Sequence, residues 1–186
     1  MIKPWKTIKS ELAFNNKWFK LKNDTVELPN GKIMDDYFYA DGGQVSMIFP
    51  VTSEGKVLMV RQYKHGVKEI LKEFPAGYFD PKLETSEMAA KRELLEETGY
   101  LAESLIPLST LRNSPTKNTL LVHLFLAKDV KRVGEQQLDQ AENIEIIELS
   151  IPELLDQITN GEITASDTIA LVFIALKYLR KLDLKD

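Results

Sequence analysis

The chain has 186 residues, of which 44% are hydrophobic and 28% are charged, and its formal net charge is −4. This composition is typical of one soluble globular domain with at most a small appendage, and the negative charge argues against general binding to nucleic acid or membrane surfaces. The absence of cysteine excludes disulfides and thiolate metal sites. The N-terminus lacks the apolar region of a signal peptide and no apolar run reaches ~18 residues, so the expected location is the cytoplasm.

Residues 1–43 are predicted to be rich in β-structure and to form an arm separate from the main domain. Strand-like runs on both sides of Asn30-Gly31 indicate a β-hairpin. The segment carries a large share of the chain's aromatic residues, and an isolated hairpin is too small to bury them. We therefore expect a boundary at Asp41-Gly42-Gly43, with an N-terminal arm at 1–43 that packs on the main domain or on a second subunit, and a main domain at 44–186.

Strands and helices alternate after residue 44. The predicted strands are residues 45–51, 56–63, 68–74, 105–111, 119–130 and 144–150, and the predicted helices are residues 85–98, residues 152–160 and a last helix that begins near Ser166. The segment 131–143 is polar and acidic, as expected of a loop. This order of elements predicts an α/β fold in which a mixed sheet lies between helices, an α/β/α sandwich.

The helix predicted at 85–98 carries an unusual acidic face. Glu93, Glu96 and Glu97 lie on one side of it, because residues three and four positions apart are neighbours on a helix. Met88 and Leu95 are expected to anchor the opposite side, which would leave the acidic face open to solvent. Three like charges repel one another, so the pattern favours a hard divalent cation such as Mg²⁺, which binds oxygen ligands and bridges carboxylates to phosphates. The alternative is a solvated acidic face.

The same segment resembles the signature of the Nudix hydrolases, in which a Gly and a Glu precede the pattern R-E-U-x-E-E-x-G-U, with U an apolar residue. The matching positions are Glu84, Arg92, Glu93, Leu94, Glu96, Glu97, Gly99 and Tyr100. The interval from Gly77 to Glu84 is one residue longer than in the family pattern, and we place the extra residue in a loop around Asp80-Pro81-Lys82. The resemblance implies the Nudix fold, attack of water on a nucleoside diphosphate, and Mg²⁺ as the cofactor, with Mn²⁺ as the alternative metal.

The resemblance also implies roles for individual side chains. The metal ligands would be Glu93, Glu96, Glu97 and the main-chain carbonyl of Ala76. Gly77 would contribute to the substrate site. Arg92 would pair with a helix carboxylate and hold its rotamer, unless it makes only a surface ion pair. Glu84 either supports the loop and the helix start or only caps the helix.

The resemblance places the base that takes the proton from water on a late loop, at residues 138–143 here. Glu142 is the first choice, although Gln140 competes for this place in the alignment and Asp139 is its acidic neighbour. The alternative is that Glu142 is a solvated loop charge.

Three features resemble the ADP-ribose and ADP-sugar pyrophosphatase branch of the family. Pro115 lies near the position of a marker proline, although a Ser-Pro turn is common. Arg61 and Lys64 resemble a basic strand end that contacts phosphate, or they are simply solvated. Trp18 would stack on adenine in a homodimer formed by the arm, or it is a core or interface residue.

The expected function is Mg²⁺-dependent cleavage of ADP-ribose or a related ADP-sugar to AMP and a sugar phosphate. The first alternative is a Nudix enzyme for another nucleotide: GDP-mannose, a dinucleoside polyphosphate or a nucleoside triphosphate. The second alternative is a non-catalytic nucleotide-binding module. The expected partners are a nucleoside diphosphate sugar and a second copy of the chain, without nucleic acid or membrane.

Overall fold

A computed structural model describes residues 1–180 and divides the chain into two compact units. Residues 1–43 and 112–121 make up the first unit, and residues 44–111 together with the chain from Val122 onward make up the second. No helix among the described residues is long and apolar enough to cross a membrane.

The first unit contains a three-stranded antiparallel sheet. Its strands, in spatial order, are β1 (Lys6–Asn15), β2 (Lys20–Glu27) and β3 (Ile33–Ala40). The hairpin between β2 and β3 is confirmed: the Leu28 N–H donates to the Lys32 carbonyl at 2.8 Å, and Gly31 takes a positive φ of 80° that suits glycine. Every residue of β1 is exposed.

The second unit contains an eight-stranded sheet and three helices within the described residues. The strands are β4 (Gln44–Thr52), β5 (Val57–Lys64), β6 (Glu69–Glu73), β7 (Ala76–Phe79), β8 (Tyr100–Leu101), β9 (Ile106–Arg112), β10 (Leu121–Arg132) and β11 (Ile144–Leu149). The helices are α1 (Ser86–Thr98), α2 (Ile151–Thr159) and α3 (Ser166–Tyr178). Five strands follow the order β11-β5-β4-β10-β8, with β6 on β5, β7 on β4 and β9 on β10. All the strands and helices predicted after residue 44 are present, and only the short β7 and β8 were not foreseen.

The core of the second unit joins α1 to the sheet. Ile48 of β4 and Leu58 of β5 are fully buried, and they belong to one apolar cluster with Ala90 and Leu94 of α1 and Phe125 of β10. Such continuous apolar strands are typical of a buried sheet centre. The cluster fixes which side of α1 faces the protein.

The predicted anchor of α1 is wrong. Met88 is 57% exposed and Leu95 is only half-buried, whereas Ala89, Ala90 and Leu94 are fully buried. The two alanines are the physical reason, because small side chains let the helix lie close to the sheet.

The acidic face is consequently turned into the protein rather than left open to solvent. Glu93 is 9% exposed and Glu97 is 6% exposed. Carboxylates are rarely buried to this degree without a partner, so their surroundings decide what the site can bind.

Candidate active site

Strand β4 positions both parts of the candidate site. Ser46 pairs with Gly77 across the β4–β7 ladder, and its hydroxyl donates to the Ser86 carbonyl in the first turn of α1 at 2.7 Å. Ser46 is fully buried. β4 therefore sets the distance between the main chain of β7 and the start of the acidic helix. The sequence did not indicate this role of Ser46, because it is a single serine within an apolar run.

Both ends of α1 are fixed locally. The Thr85 hydroxyl accepts from the Met88 N–H at 3.2 Å and caps the first turn. Gly99 ends the helix with φ 72°, and its N–H donates to the Leu95 carbonyl at 2.8 Å. The predicted helix and its two boundaries are confirmed.

The two buried carboxylates lie over the main chain of β7. A Cβ atom at Gly77 would overlap the carboxylate of Glu93, so only glycine leaves room for that carboxylate. Glu97 Oε2 accepts from the Ala76 N–H at 3.2 Å. The structure thus brings Ala76, Gly77, Glu93 and Glu97 together, and the binding of a metal by these residues stays a prediction.

Arg92 connects the remaining acidic groups. Its Nη1 donates to Glu93 Oε1 at 2.7 Å and to Glu96 Oε2 at 2.9 Å, while Nη2 and Nε donate to both oxygens of Glu84 at 2.8 and 3.3 Å. A guanidinium presents its donors in a rigid fork that matches carboxylates. Glu84 therefore supports the helix through Arg92, and since Thr85 provides the cap, the capping alternative for Glu84 is wrong.

The electrostatics of the site are unfavourable for the bare carboxylates. Burial, together with the charge of Glu93, raises the pKa of Glu97 to about 8, and the Ala76 N–H opposes this rise only in part. Burial also raises the pKa of Glu93, against the hydrogen bond from Arg92. The Glu84 carboxylate, more than any other group, raises the pKa of Arg92. A bound cation would relieve this repulsion.

The donor set fits a hard divalent cation in its chemistry. Glu93, Glu96 and Glu97 supply carboxylate oxygens, the ligands that Mg²⁺ prefers. Among residues 1–180, no group of three His, Cys, Asp or Glu side chains is placed so that it could hold a metal ion as it stands. Arg92 occupies oxygens of Glu93 and Glu96.

The two basic residues predicted at the end of β5 are paired with carboxylates. Arg61 Nη1 lies 3.0 Å from Glu145 Oε2, and Lys64 Nζ lies 3.0 Å from Glu73 Oε2. The positive charge of Lys64 is near enough to lower the pKa of Glu97 slightly, behind the larger effects of burial and of Glu93.

Glu142 lies on a tight turn before β11. Its N–H donates to the Asp139 carbonyl at 2.9 Å, and its Oε2 accepts from the Asp139 N–H at 2.9 Å. The negative charge of Glu142 contributes to the raised pKa values of both Glu93 and Glu97. Glu142 is therefore within electrostatic reach of the buried pair.

The segment that leads into this turn is attached to the end of α1. Gln136 Nε2 donates to the Glu97 carbonyl at 2.7 Å and to the Ile144 carbonyl at 3.1 Å. The Gln137 N–H donates to the Glu96 carbonyl at 2.8 Å. Sequence reasoning assigned these residues only to a polar loop, since side chain to main chain contacts of this kind leave no periodic signal.

Trp18 and Pro115 belong to the first unit. Trp18 is 83% exposed on a turn in which Asn16 Oδ1 accepts from the Trp18 N–H at 2.8 Å, and Lys17 Nζ lies 4.4 Å from the centre of its ring. Pro115 lies in a turn closed by the Lys117 N–H, which donates to the Ser114 carbonyl at 2.8 Å. These observations define their local geometry and assign neither a ligand.

Two family models match this chain. The model of the nucleoside diphosphate sugar hydrolase N-terminal domain matches residues 5–40, and that of the Nudix domain matches residues 43–171. The second match spans well over half of the chain, so the chain belongs to the Nudix family and is a hydrolase. Enzymes of this family generally use a divalent metal such as Mg²⁺.

Individual relatives are similar over nearly the full length of the chain. A methanol dehydrogenase activator from Bacillus methanolicus is 37% identical, with 94% of this chain and 92% of the relative covered. An ADP-ribose pyrophosphatase from Bacillus subtilis (strain 168) is 35% identical, with 92% and 93% covered. The crystal structure of an ADP compounds hydrolase superimposes with a TM-score of 0.86 at 20% identity and 97% coverage of both chains. This likeness confirms the predicted Nudix fold with its mixed sheet.

Proposed function

We propose that this chain hydrolyses the diphosphate bond of ADP-ribose or a related ADP-sugar, giving AMP and a sugar phosphate, with a divalent cation as cofactor. The observation that carries the proposal is the pair of buried carboxylates, Glu93 and Glu97, seated over Ala76 and Gly77. The relative named ADP-ribose pyrophosphatase supports the choice of substrate.

The acidic helix would hold the cation. Glu93, Glu96 and Glu97 supply carboxylates and Ala76 its carbonyl oxygen, and Mg²⁺ is the metal we propose, with Mn²⁺ as the alternative. When bound, the cation supplies positive charge that neutralises the diphosphate of the substrate. Arg92 orients the carboxylates of Glu93 and Glu96 through its two hydrogen bonds from Nη1.

Water activation is assigned to the turn before β11. Glu142 accepts the proton of the attacking water, as a carboxylate can when it acts as a general base. Its Oε2 accepts a hydrogen bond from the Asp139 N–H, and Oε1 is the oxygen that would take the proton. Arg61 and Lys64 would contact phosphate oxygens after exchanging their carboxylate partners for the substrate.

We also propose that the arm at residues 1–43 forms a homodimer with a second copy of the chain. β1 is exposed along its whole length, and Ile8, Leu12 and Phe14 are each at least 50% exposed. Trp18 is our proposal for the residue that stacks on the nucleobase, supported by its exposed ring, and Pro115 is proposed to line the substrate site. Cytoplasmic location and the absence of nucleic-acid or membrane partners stay predictions.

A panel of nucleotides tests the proposed activity directly. ADP-ribose, ADP-glucose, GDP-mannose, a dinucleoside polyphosphate, a nucleoside triphosphate and NAD, which contains the same ADP-ribose group, are each incubated with and without Mg²⁺. The measured product is AMP for the ADP-containing substrates and the corresponding nucleotide for the others. The proposal predicts the highest kcat/KM for an ADP-sugar, and no turnover in excess chelator.

The panel also separates the alternatives. A higher kcat/KM for GDP-mannose, the dinucleoside polyphosphate or the triphosphate would show that the protein is a Nudix hydrolase with a different substrate. Binding of these nucleotides without hydrolysis of any of them, in the presence of Mg²⁺ or Mn²⁺, would contradict catalysis and leave a nucleotide-binding module.

A further inference from the structure

We propose that Gln136 is a positioning residue for this reaction: its side chain fixes the turn that carries Glu142 against the carboxyl end of the acidic helix α1. This inference rests on the proposed function, because it acts through Glu142 as the base. It concerns a residue outside the Nudix signature, in a loop that no periodic pattern marks.

The segment 133–137 provides hydrogen-bond donors to three carbonyls at the carboxyl end of α1, beside the Gly99 N–H that donates to the Leu95 carbonyl. The last carbonyls of a helix have no partner within the helix and must be satisfied from outside. The Gln136 side chain donates to the Glu97 carbonyl, and the Gln137 N–H donates to the Glu96 carbonyl. The N–H groups of Val133 and Gly134 donate to the Gly99 carbonyl at 2.9 and 3.2 Å. The segment is therefore docked on the same turn of the helix that presents Glu96 and Glu97 to the cation.

The Gln136 side chain links α1 to the first residue of β11. Its Nε2 donates to the Glu97 carbonyl at 2.7 Å and to the Ile144 carbonyl at 3.1 Å, and Ile144 begins β11 directly after the turn. The primary amide of glutamine carries two N–H donors on one nitrogen, so it can donate to two carbonyls at once. The Gln136 amide thus connects three points: Gln136 itself, which precedes the turn, Ile144, which follows it, and Glu97 of α1.

The contact controls the position of Glu142 and not its chemistry. Residues 138–143 form a short loop, and within the part of the chain that the structure describes the Glu142 carboxylate accepts a hydrogen bond only from the Asp139 N–H of the same loop. Where that loop lies is consequently set by its fixed ends. Losing the Gln136 amide leaves the Gln137 N–H on the Glu96 carbonyl but removes the link between the Glu97 and Ile144 carbonyls. The two ends of the loop can then move relative to each other and Glu142 can shift, and a displacement of about 1 Å from productive geometry can cost ~10²-fold in rate.

The test is a double-mutant cycle on the full-length protein with Mg²⁺ and ADP-ribose. Gln136→Met keeps the length of the side chain and removes both donors, and it is combined with Glu142→Gln. The matched control is Gln137→Met, because the Gln137 side chain is exposed and its helix contact comes from the main-chain N–H. Folding of each variant is checked by urea unfolding, and Gln136→Asn, one methylene too short to reach both carbonyls, replaces Gln136→Met if the latter does not fold.

We expect Gln136→Met to lower kcat between about tenfold and a hundredfold with KM changed less than about threefold, and Gln137→Met to behave as wild type. In the Glu142→Gln background, Gln136→Met should change kcat by less than about twofold, because the residue it positions is already disabled. This non-additivity is a readout that a purely structural helix cap would not give.

Two outcomes overturn the inference while leaving the proposed function intact. The first is a wild-type kcat for folded Gln136→Met, and the second is the same loss of kcat with and without Glu142→Gln. A wild-type kcat for Glu142→Gln alone overturns both the assignment of the base and the role of Gln136. Failure of the wild-type protein to hydrolyse ADP-ribose is visible before any variant is made, and it refutes the proposed function itself.

Discussion

Glu97 shows at the scale of one residue why we propose a cation at this site. Its side chain is buried, its hydrogen bond is to the Ala76 N–H, and the neighbouring charge of Glu93 is repulsive. Burial and that repulsion place the pKa of Glu97 at about 8, well above its ordinary value of 4.5. The metal-free folded state therefore loses stability as this carboxyl ionises.

The first prediction is a pH dependence of stability in metal-free buffer. Between pH 4.5 and about 8 the folded state keeps a proton on Glu97 that the unfolded state has released, so the free energy of unfolding falls as pH rises through this window. Glu97→Gln should flatten the decline. Thermal unfolding in chelator at several pH values measures it, and a midpoint that rises with pH in the wild type alone would contradict the buried carboxyl.

The second prediction concerns Gly77, where the absence of a side chain makes room for the Glu93 carboxylate. Gly77→Ala should displace that carboxylate and lower kcat/KM by about tenfold or more, because ligand geometry is held within fractions of an ångström. Gly66→Ala is the matched control, since a Cβ there has no atom within 4 Å. Equal activity of the two variants would show that Glu93 is not needed in its observed position.

Site residues with a fixed spacing were predictable from the sequence, and those defined by main-chain contacts were not. Glu93, Glu96 and Glu97 share a helix face because they are three and four residues apart. Arg92 was predicted from its place in the Nudix signature. Burial of Glu93 and Glu97 was missed, because a helical wheel does not show that Ala90 allows close approach to the sheet. Gln136 was missed for the same kind of reason, as its partners are the carbonyls of distant residues.

At the scale of elements, α1 depends on what its ends contact. Gly99 and Gly161 both follow a helix and both have positive φ, at 72° and 82°. A Cβ at Gly99 would also collide with the carbonyl of Gly134, whereas a Cβ at Gly161 has no atom within 4 Å. The loop after β10 is thus packed directly on the helix stop.

The third prediction follows from this difference. Gly161→Ala should lower the free energy of unfolding by about 1–2 kcal/mol, the cost of the left-handed conformation for alanine. Gly99→Ala should lower it further and should also lower kcat, because the loop that leads to Glu142 has to move. Urea unfolding with parallel rate measurements compares the two. The packing explanation fails if both variants lose equal stability and keep full activity.

The sequence predicted elements well where apolar pattern and caps agreed. β4 and β5 contain the apolar runs 47–51 and 57–60, and α2 has both sides of a capping box, Ser150 and Glu153. β7 and β8 escaped prediction because strands of four and two residues are too short to show a period.

At the scale of the whole molecule, the first unit exposes several large apolar side chains, and monomers rarely leave a large contiguous apolar patch uncovered. Ile8, Leu12, Phe14, Trp18 and Ile33 are each at least 50% exposed. A symmetric interface with a second copy would cover such a surface.

The fourth prediction is therefore a homodimer through the arm. Light scattering at micromolar concentration should give about twice the 21.2 kDa mass of the chain. Leu12→Asp should shift the mass toward the monomer, and Val133→Asp, an equally exposed apolar position outside the arm, should not. A wild-type mass of one chain, or no effect of Leu12→Asp on a dimer, would refute the arm as the interface.

The central claim is that the buried acidic helix holds the cation with which an ADP-sugar is hydrolysed. The most direct measurement is the rate of AMP release from ADP-ribose with Mg²⁺ by Glu97→Gln and by Glu87→Gln, an exposed glutamate of the same helix that pairs with Lys91 at 3.4 Å. Glu97→Gln should lose about a hundredfold or more in kcat, since metal charge supplies several kcal/mol and about 1.4 kcal/mol is tenfold. Glu87→Gln should keep the wild-type rate. A folded Glu97→Gln variant with wild-type turnover would contradict the account.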